Sequence, residues 1–149
     1  MEHLDNEARL KSIYAMYEIY PLSRKLVYDT FDKKDYNITR TQQIIMLCLS
    51  INSTLTMSQL ARKINTSNEQ ATRAVAQLVE KGFVERAQNP ANRRVINISL
   101  TERARQFIEN TKDNIRSDLL EMFEDVSDEE MSEFYNALVT VKNVLKKVM

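Results

Sequence analysis

Residues Leu55–Leu100 read LTMSQLARKINTSNEQATRAVAQLVEKGFVERAQNPANRRVINISL. Thr56 with Gln59 is a capping-box pair, in which a side-chain oxygen and a glutamine three residues on satisfy the first free N–H groups of a helix. It opens a short helix, Met57–Ile64, with Leu60, Ala61 and Ile64 inward and Gln59, Arg62 and Lys63 outward. Asn65 ends that helix, and Thr66 with Glu69 repeats the start signal. The next helix, Ser67–Lys81, gathers Ala71, Val75, Leu78 and Val79 on one side at ~100° per residue. Thr66, Gln70, Arg73 and Gln77 fall opposite. Gly82, the only glycine of the chain, stands where a helix end needs a left-handed residue. Phe83–Arg86 then reads as a strand, and Arg94–Leu100 as another, with Ile96, Ile98 and Leu100 on one face. Between them Asn89-Pro90-Ala91-Asn92-Arg93-Arg94 makes a turn that exposes two arginines. Two short helices followed by a basic hairpin have the order of a helix-turn-helix with a β-wing.

The flanks are helical. One glycine and two prolines in 149 residues leave little material for sheets or long loops. Residues 5–34 read as helix, interrupted by Pro21, which predicts a kink or the start of a second segment. Tyr14, Tyr17 and Tyr20 recur every third residue, as a core or dimer-contact stripe or as one wall of a small-molecule pocket. After a polar link, Lys33–Asn37, Thr39 and Gln42 form a capping box for a helix that is apolar nearly all round, Ile44–Ile51, and so central. Cys48 lies inside it and reads as a buried, inert thiol with no neighbouring cation in sequence. A long helix is expected from Thr101–Glu102 to about Val126, polar all round near Glu109–Asn114. Ser127 and Glu130 cap a last helix with Met131, Phe134, Leu138, Val141, Leu145 and Val148 in a stripe too long for a small winged lobe to cover.

Net charge is zero, but its distribution is not even. Residues 1–53 carry seven basic and seven acidic side chains. Residues 54–99 carry seven against three, net +4, and residues 100–149 seven against eleven, net −4. A basic middle third can meet phosphates while the whole chain stays neutral. An enzyme has little support: His3 is the sole histidine, one glycine cannot build a phosphate loop, and no metal-ligand or cofactor motif is present. No apolar run approaches ~20 residues. MEHLDNEARLK lacks the apolar stretch of a signal peptide, and the single cysteine fits a reducing compartment. The expectation is a cytoplasmic protein with no membrane partner and no cofactor.

The chain resembles the MarR family of winged-helix regulators over almost its whole length. Asn37–Gln42 before an apolar helix, Gln70–Arg86, and Asn89–Arg94 running into Ser99-Leu100-Thr101 carry the resemblance. It implies a mainly α fold, a winged helix-turn-helix with long N- and C-terminal helices forming a dimerisation lobe. Residues 1–149 would be a single domain, with 37–100 as the DNA-binding lobe and 1–36 with 101–149 as dimerisation helices. It further implies a homodimer on a pseudo-palindromic duplex site, and a small, commonly aromatic effector bound between the lobes. On that reading Gln70, Arg73 and Gln77 face bases, with Thr66 and Ser67 at the start of the same helix. Arg93 and Arg94 enter the minor groove, and Arg62, Lys63 and Arg86 hold phosphates. Tyr14, Tyr17 and Met46 are the ligand-binding candidates. By themselves the outward Gln and Arg side chains fit an ordinary solvated face equally well. The alternatives are a Cys-based oxidant sensor and a helical protein-interaction module. The chain departs from the family at Asn92, where an Asp usually pairs with the wing arginine, and at Ala104, where a Gly is usual. Its cysteine, too, is not near the start of the first helix, where the redox branch usually carries it.

Overall fold

The computed structural model describes residues 5–32 and 36–149. His3, Leu4 and the link residues Lys33, Lys34 and Asp35 lie outside the described residues, as does the side chain of Phe31. The elements in order are α1 (Asn6–Asp32), α2 (Arg40–Asn52), β1 (Thr54–Thr56), α3 (Met57–Lys63), α4 (Asn68–Glu80), β2 (Val84–Gln88), β3 (Ile96–Leu100), α5 (Glu102–Met122) and α6 (Asp128–Val148). The chain divides into two compact units at Asn114/Ile115.

In the first unit the core is built by α2, α3, α4 and a three-stranded antiparallel sheet of order β1-β3-β2. Ile45, Leu49, Leu60, Val75, Leu78 and Ile98 are its fully buried side chains. Phe83, Val84, Leu100 and Ala104 extend it towards α5, where Phe107 stacks at a tilt on Phe83 with ring centroids 4.9 Å apart. α2 is central on one face only. Ile45, Met46 and Leu49 are buried, whereas Leu47 and Ile51 are exposed, Ile51 by 72%.

The capping boxes of Thr39/Gln42 and Thr56/Gln59 form as the sequence predicts. The third does not: α4 is capped by Ser67, whose Oγ accepts from Gln70 N, one residue after the predicted Thr66. The reason lies in the end of α3. Asn65 adopts φ 53° and donates its N–H to Arg62 O, and Thr66 donates its own to Ala61 O. This left-handed stop uses Thr66 to close one helix and leaves Ser67 to start the next. Gly82, at φ 74°, ends α4 in the same way, with Phe83 N–H on Leu78 O.

The sheet has a strand that the sequence did not announce. β1 pairs Leu55 with Ile98 and so places β3 in the middle. β3 also begins at Ile96, not Arg94, because the tip has its own bonds: Asn89 N to Val95 O, 2.9 Å, and Val95 N to Asn92 O, 2.9 Å. α1 runs through Pro21 as one helix, without a second segment. α5 stops at Met122, short of Val126, in a turn that leads to the Ser127/Glu130 box. The stretch Glu109–Asn114 is polar in every residue but not solvated all round, since Thr111 is buried and Asn114 Nδ2 donates to the Tyr36 hydroxyl at 3.3 Å.

In the second unit Phe123 and Phe134 stack, 6.2 Å between centroids. α6 buries none of its residues, and Phe134, Tyr135, Leu138, Val144 and Val148 are exposed. In the first unit α1 likewise exposes Ile13, Tyr14, Tyr17 and Tyr20.

Candidate nucleic-acid interface

α4 owes its orientation to Ala71, Ala74, Val75 and Leu78, all buried in the core. A helix anchored on that side must turn Gln70, Arg73 and Gln77 to solvent, and all three are exposed. Arg73 Nη2 donates to Glu69 Oε1 at 2.9 Å, one turn back on the same helix. Gln70 is held at the helix start, its N–H on Ser67 Oγ and its Oε1 accepting from the Thr66 hydroxyl. Thr66 is half-buried and Ser67 exposed, so both line the same end of the row.

Gln77 differs from its neighbours. Its Oε1 accepts a 2.7 Å bond from Nε2 of Gln42, a residue of α2 that is only 2% exposed. Lys81, at the end of α4, donates from Nζ to Asn37 O at 2.7 Å. Two polar contacts thus fasten the C-terminal end of α4, one to the first turn of α2 and one to the segment that precedes it. Sequence reading missed both, because 35 and 44 residues separate the partners.

The wing is the β2–β3 hairpin, paired from Val84↔Leu100 to Gln88↔Ile96. Two asparagines shape its tip. Asn89 Oδ1 accepts from Ala91 N at 2.9 Å and Asn92 Oδ1 from Arg94 N at 3.1 Å. Asn92 therefore fixes the arginine's backbone rather than its guanidinium. Arg93 and Arg94 are exposed, and neither is in an ion pair among the described residues. Arg86 is exposed on β2, and Arg62 and Lys63 are exposed in the last turn of α3, where cations complement the helix dipole.

The ligand candidates do not come together. Tyr14 and Tyr17 stand on the exposed surface of α1, Tyr17 73% exposed. Met46 is buried and borders a cavity of about 180 Å³ with Val27, Gln43, Leu47, Phe107 and Lys112 among its lining residues. Cys48 is half-buried, not buried. Burial pushes its thiol up, opposed by the charge of Lys63, a neighbour that only the fold supplies, and by a bond from Asn52 one turn on in α2. Among the described residues no three His, Cys, Asp or Glu side chains lie close enough to hold a metal ion, and no helix is long and apolar enough to cross a membrane.

Residues 38–96 match the model of the MarR family. The chain is 40% identical over 72 residues to the transcriptional regulator AdcR of Streptococcus pneumoniae, 48% of this chain and 49% of AdcR. It is 30% identical over 94 residues to YdgJ of Bacillus subtilis, an uncharacterised HTH-type transcriptional regulator, 63% of this chain and 57% of YdgJ. The matched stretch thus spans about half the length of these two relatives. In fold the chain is similar to a MarR family protein from Bacillus stearothermophilus, with TM-score 0.72 and 22% identity over 96% of this chain and 99% of that one.

Proposed function

We propose that this chain, whose residues 38–96 match the MarR family model, is a DNA-binding transcriptional regulator of that family and not an enzyme. It acts as a homodimer that sets two winged helix-turn-helix lobes on a pseudo-palindromic operator. The observation that carries this reading is the pairing of two exposed basic features in one lobe. These are the Gln70–Arg73–Gln77 row of α4 and the Arg93–Arg94 tip of the wing. A helix of this kind enters a major groove, and an arginine at a hairpin tip fits the negative potential of a narrow minor groove. Arg62, Lys63 and Arg86 hold phosphates and set register without reading sequence.

The apolar faces of α1 and α6 support the homodimer, since neither helix covers its stripe in a single chain. The cavity beside Met46 supports a small effector. Phe107 and Ile108 would hold an aromatic ring there, and Lys112 a carboxylate on it. Release follows if the effector binds better to the arrangement that fits DNA worse. The regulator works in the cytoplasm, on the same DNA that the wing and α4 are built to meet.

Selection from a random duplex library with the purified protein tests this reading. It expects enrichment of two related half-sites about one helical turn apart. A protein that enriches no sequence, and binds duplex DNA no better at low salt than at high, contradicts it and leaves the protein-interaction module as the reading to pursue.

A further inference from the structure

The Gln42–Gln77 bond fixes which end of the Gln77 amide faces outward. The assignment starts from a donor that cannot be reversed, the backbone N–H of Thr39. It donates to Gln42 Oε1 at 3.2 Å, as the capping box requires. With its oxygen committed there, Gln42 can turn only its Nε2 towards α4, and that group donates to Gln77 Oε1 at 2.7 Å. Gln77 must then point its oxygen inward, at a side chain 2% exposed, and its NH₂ to solvent. Gln70 has no such constraint. Its partner is the Thr66 hydroxyl, which can donate or accept, so that amide is free to flip.

We propose that Gln42 is a specificity-determining residue that acts through Gln77, holding it as a hydrogen-bond donor at the interface. This inference rests on the DNA-binding reading above. A glutamine that reads adenine bidentately must present both its oxygen and its nitrogen. Gln77, with its oxygen turned in, instead offers donors to an acceptor: guanine O6 or N7, thymine O4, or a phosphate oxygen. Gln42 touches no DNA in this scheme and is a positioning residue.

Gln42→Glu tests the proposal without removing the cap, because a glutamate at this position completes a capping box equally well. Ionised, it cannot donate. Gln77 must then turn its NH₂ inward and present its oxygen. The variant is studied well above the carboxylate range so that the buried acid stays charged. Library selection is run on wild type, Gln42→Glu, Gln77→Ala and the double variant. If Gln77 faces a base, Gln42→Glu shifts preference at one position per half-site from guanine or thymine towards adenine or cytosine, about fivefold, one hydrogen bond's worth. If it faces a phosphate, affinity falls at every sequence with no change of preference. In both cases the effect disappears in the Gln77→Ala background, whereas the added charge alone acts equally in the two backgrounds. Equal effects of Gln42→Glu with and without Gln77, or none, overturn the proposal. A wild type that selects no DNA defeats the functional reading instead. Side-chain amide NMR of the free protein then still decides the orientation. Gln42→Glu must move the Gln77 NH₂ resonances and slow their exchange with water, and unmoved resonances overturn it.

Discussion

Arg73, the central cation of the outward row on α4, is paired with Glu69 at 2.9 Å on the same helix, and both side chains are largely exposed. An exposed pair with Glu four residues before the cation is worth about 0.3–0.5 kcal/mol and is weakened by salt. The carboxylate therefore parks the guanidinium without holding it firmly. Glu69→Gln should release Arg73 and remove a charge that repels phosphate. DNA affinity measured by fluorescence anisotropy should rise at least about twofold at low salt and converge on wild type as salt rises. A fall in affinity would mean that Glu69 aims Arg73 at its target.

Gly82 is required for its backbone and not for space. A Cβ there meets only the Arg103 side chain, at 3.6 Å, an ordinary contact, but the residue sits at φ 74°. Gly82→Ala should cost about 1–2 kcal/mol in urea unfolding. Gly82→Asn should lose less, because asparagine tolerates the left-handed region. Equal losses for both would point to packing instead.

This glycine was legible in the sequence, and so were the boxes at Thr39/Gln42, Thr56/Gln59 and Ser127/Glu130, because each is a local device complete within four residues. The features that escaped are not local. β1 is three residues long, too short to show alternation, and exists because Leu55 meets Ile98 across the sheet. The cap of α4 moved to Ser67 because α3 had already used the N–H of Thr66, a competition that neither start signal reveals alone. The outward row of α4 followed from periodicity. Its tie to Gln42 did not, since an amide at a helix start gives no sign of what lies across from it.

Cys48 should behave as a sluggish thiol. Burial raises it above the ordinary cysteine value, and Lys63 and Asn52 offset this only in part. At neutral pH the thiolate fraction is therefore below that of a free cysteine, and the rate of disulfide-reagent attack should be slow and climb steadily into the alkaline range. Cys48→Ser should leave the response of DNA binding to peroxide unchanged. A response abolished by that substitution would turn the protein into an oxidant sensor.

At the start of α6, the backbone N–H of Ser127 and its hydroxyl hold the Glu130 carboxyl below the usual glutamate range. A group lowered in the folded state adds stability above its unfolded value and loses it as pH falls through the lowered one. Ser127→Ala removes the hydroxyl and should bring the Glu130 titration, followed by carboxyl NMR, part of the way back. A titration unmoved by the substitution would show that the box does not form in solution.

If α4 and the wing bind duplex DNA together, a salt titration of operator binding registers both. Phosphate contacts release counterions, so wild-type affinity should fall steeply and linearly on a double-logarithmic plot. Arg94→Ala should weaken binding most at sites with A·T-rich flanks and flatten that slope by about one for each wing engaged. Arg73→Ala should cost about 1–3 kcal/mol at the operator and relax preference at one position in each half-site. Affinity that is indifferent to salt in the wild type, and unmoved by either substitution, would mean that α4 and the wing do not meet DNA.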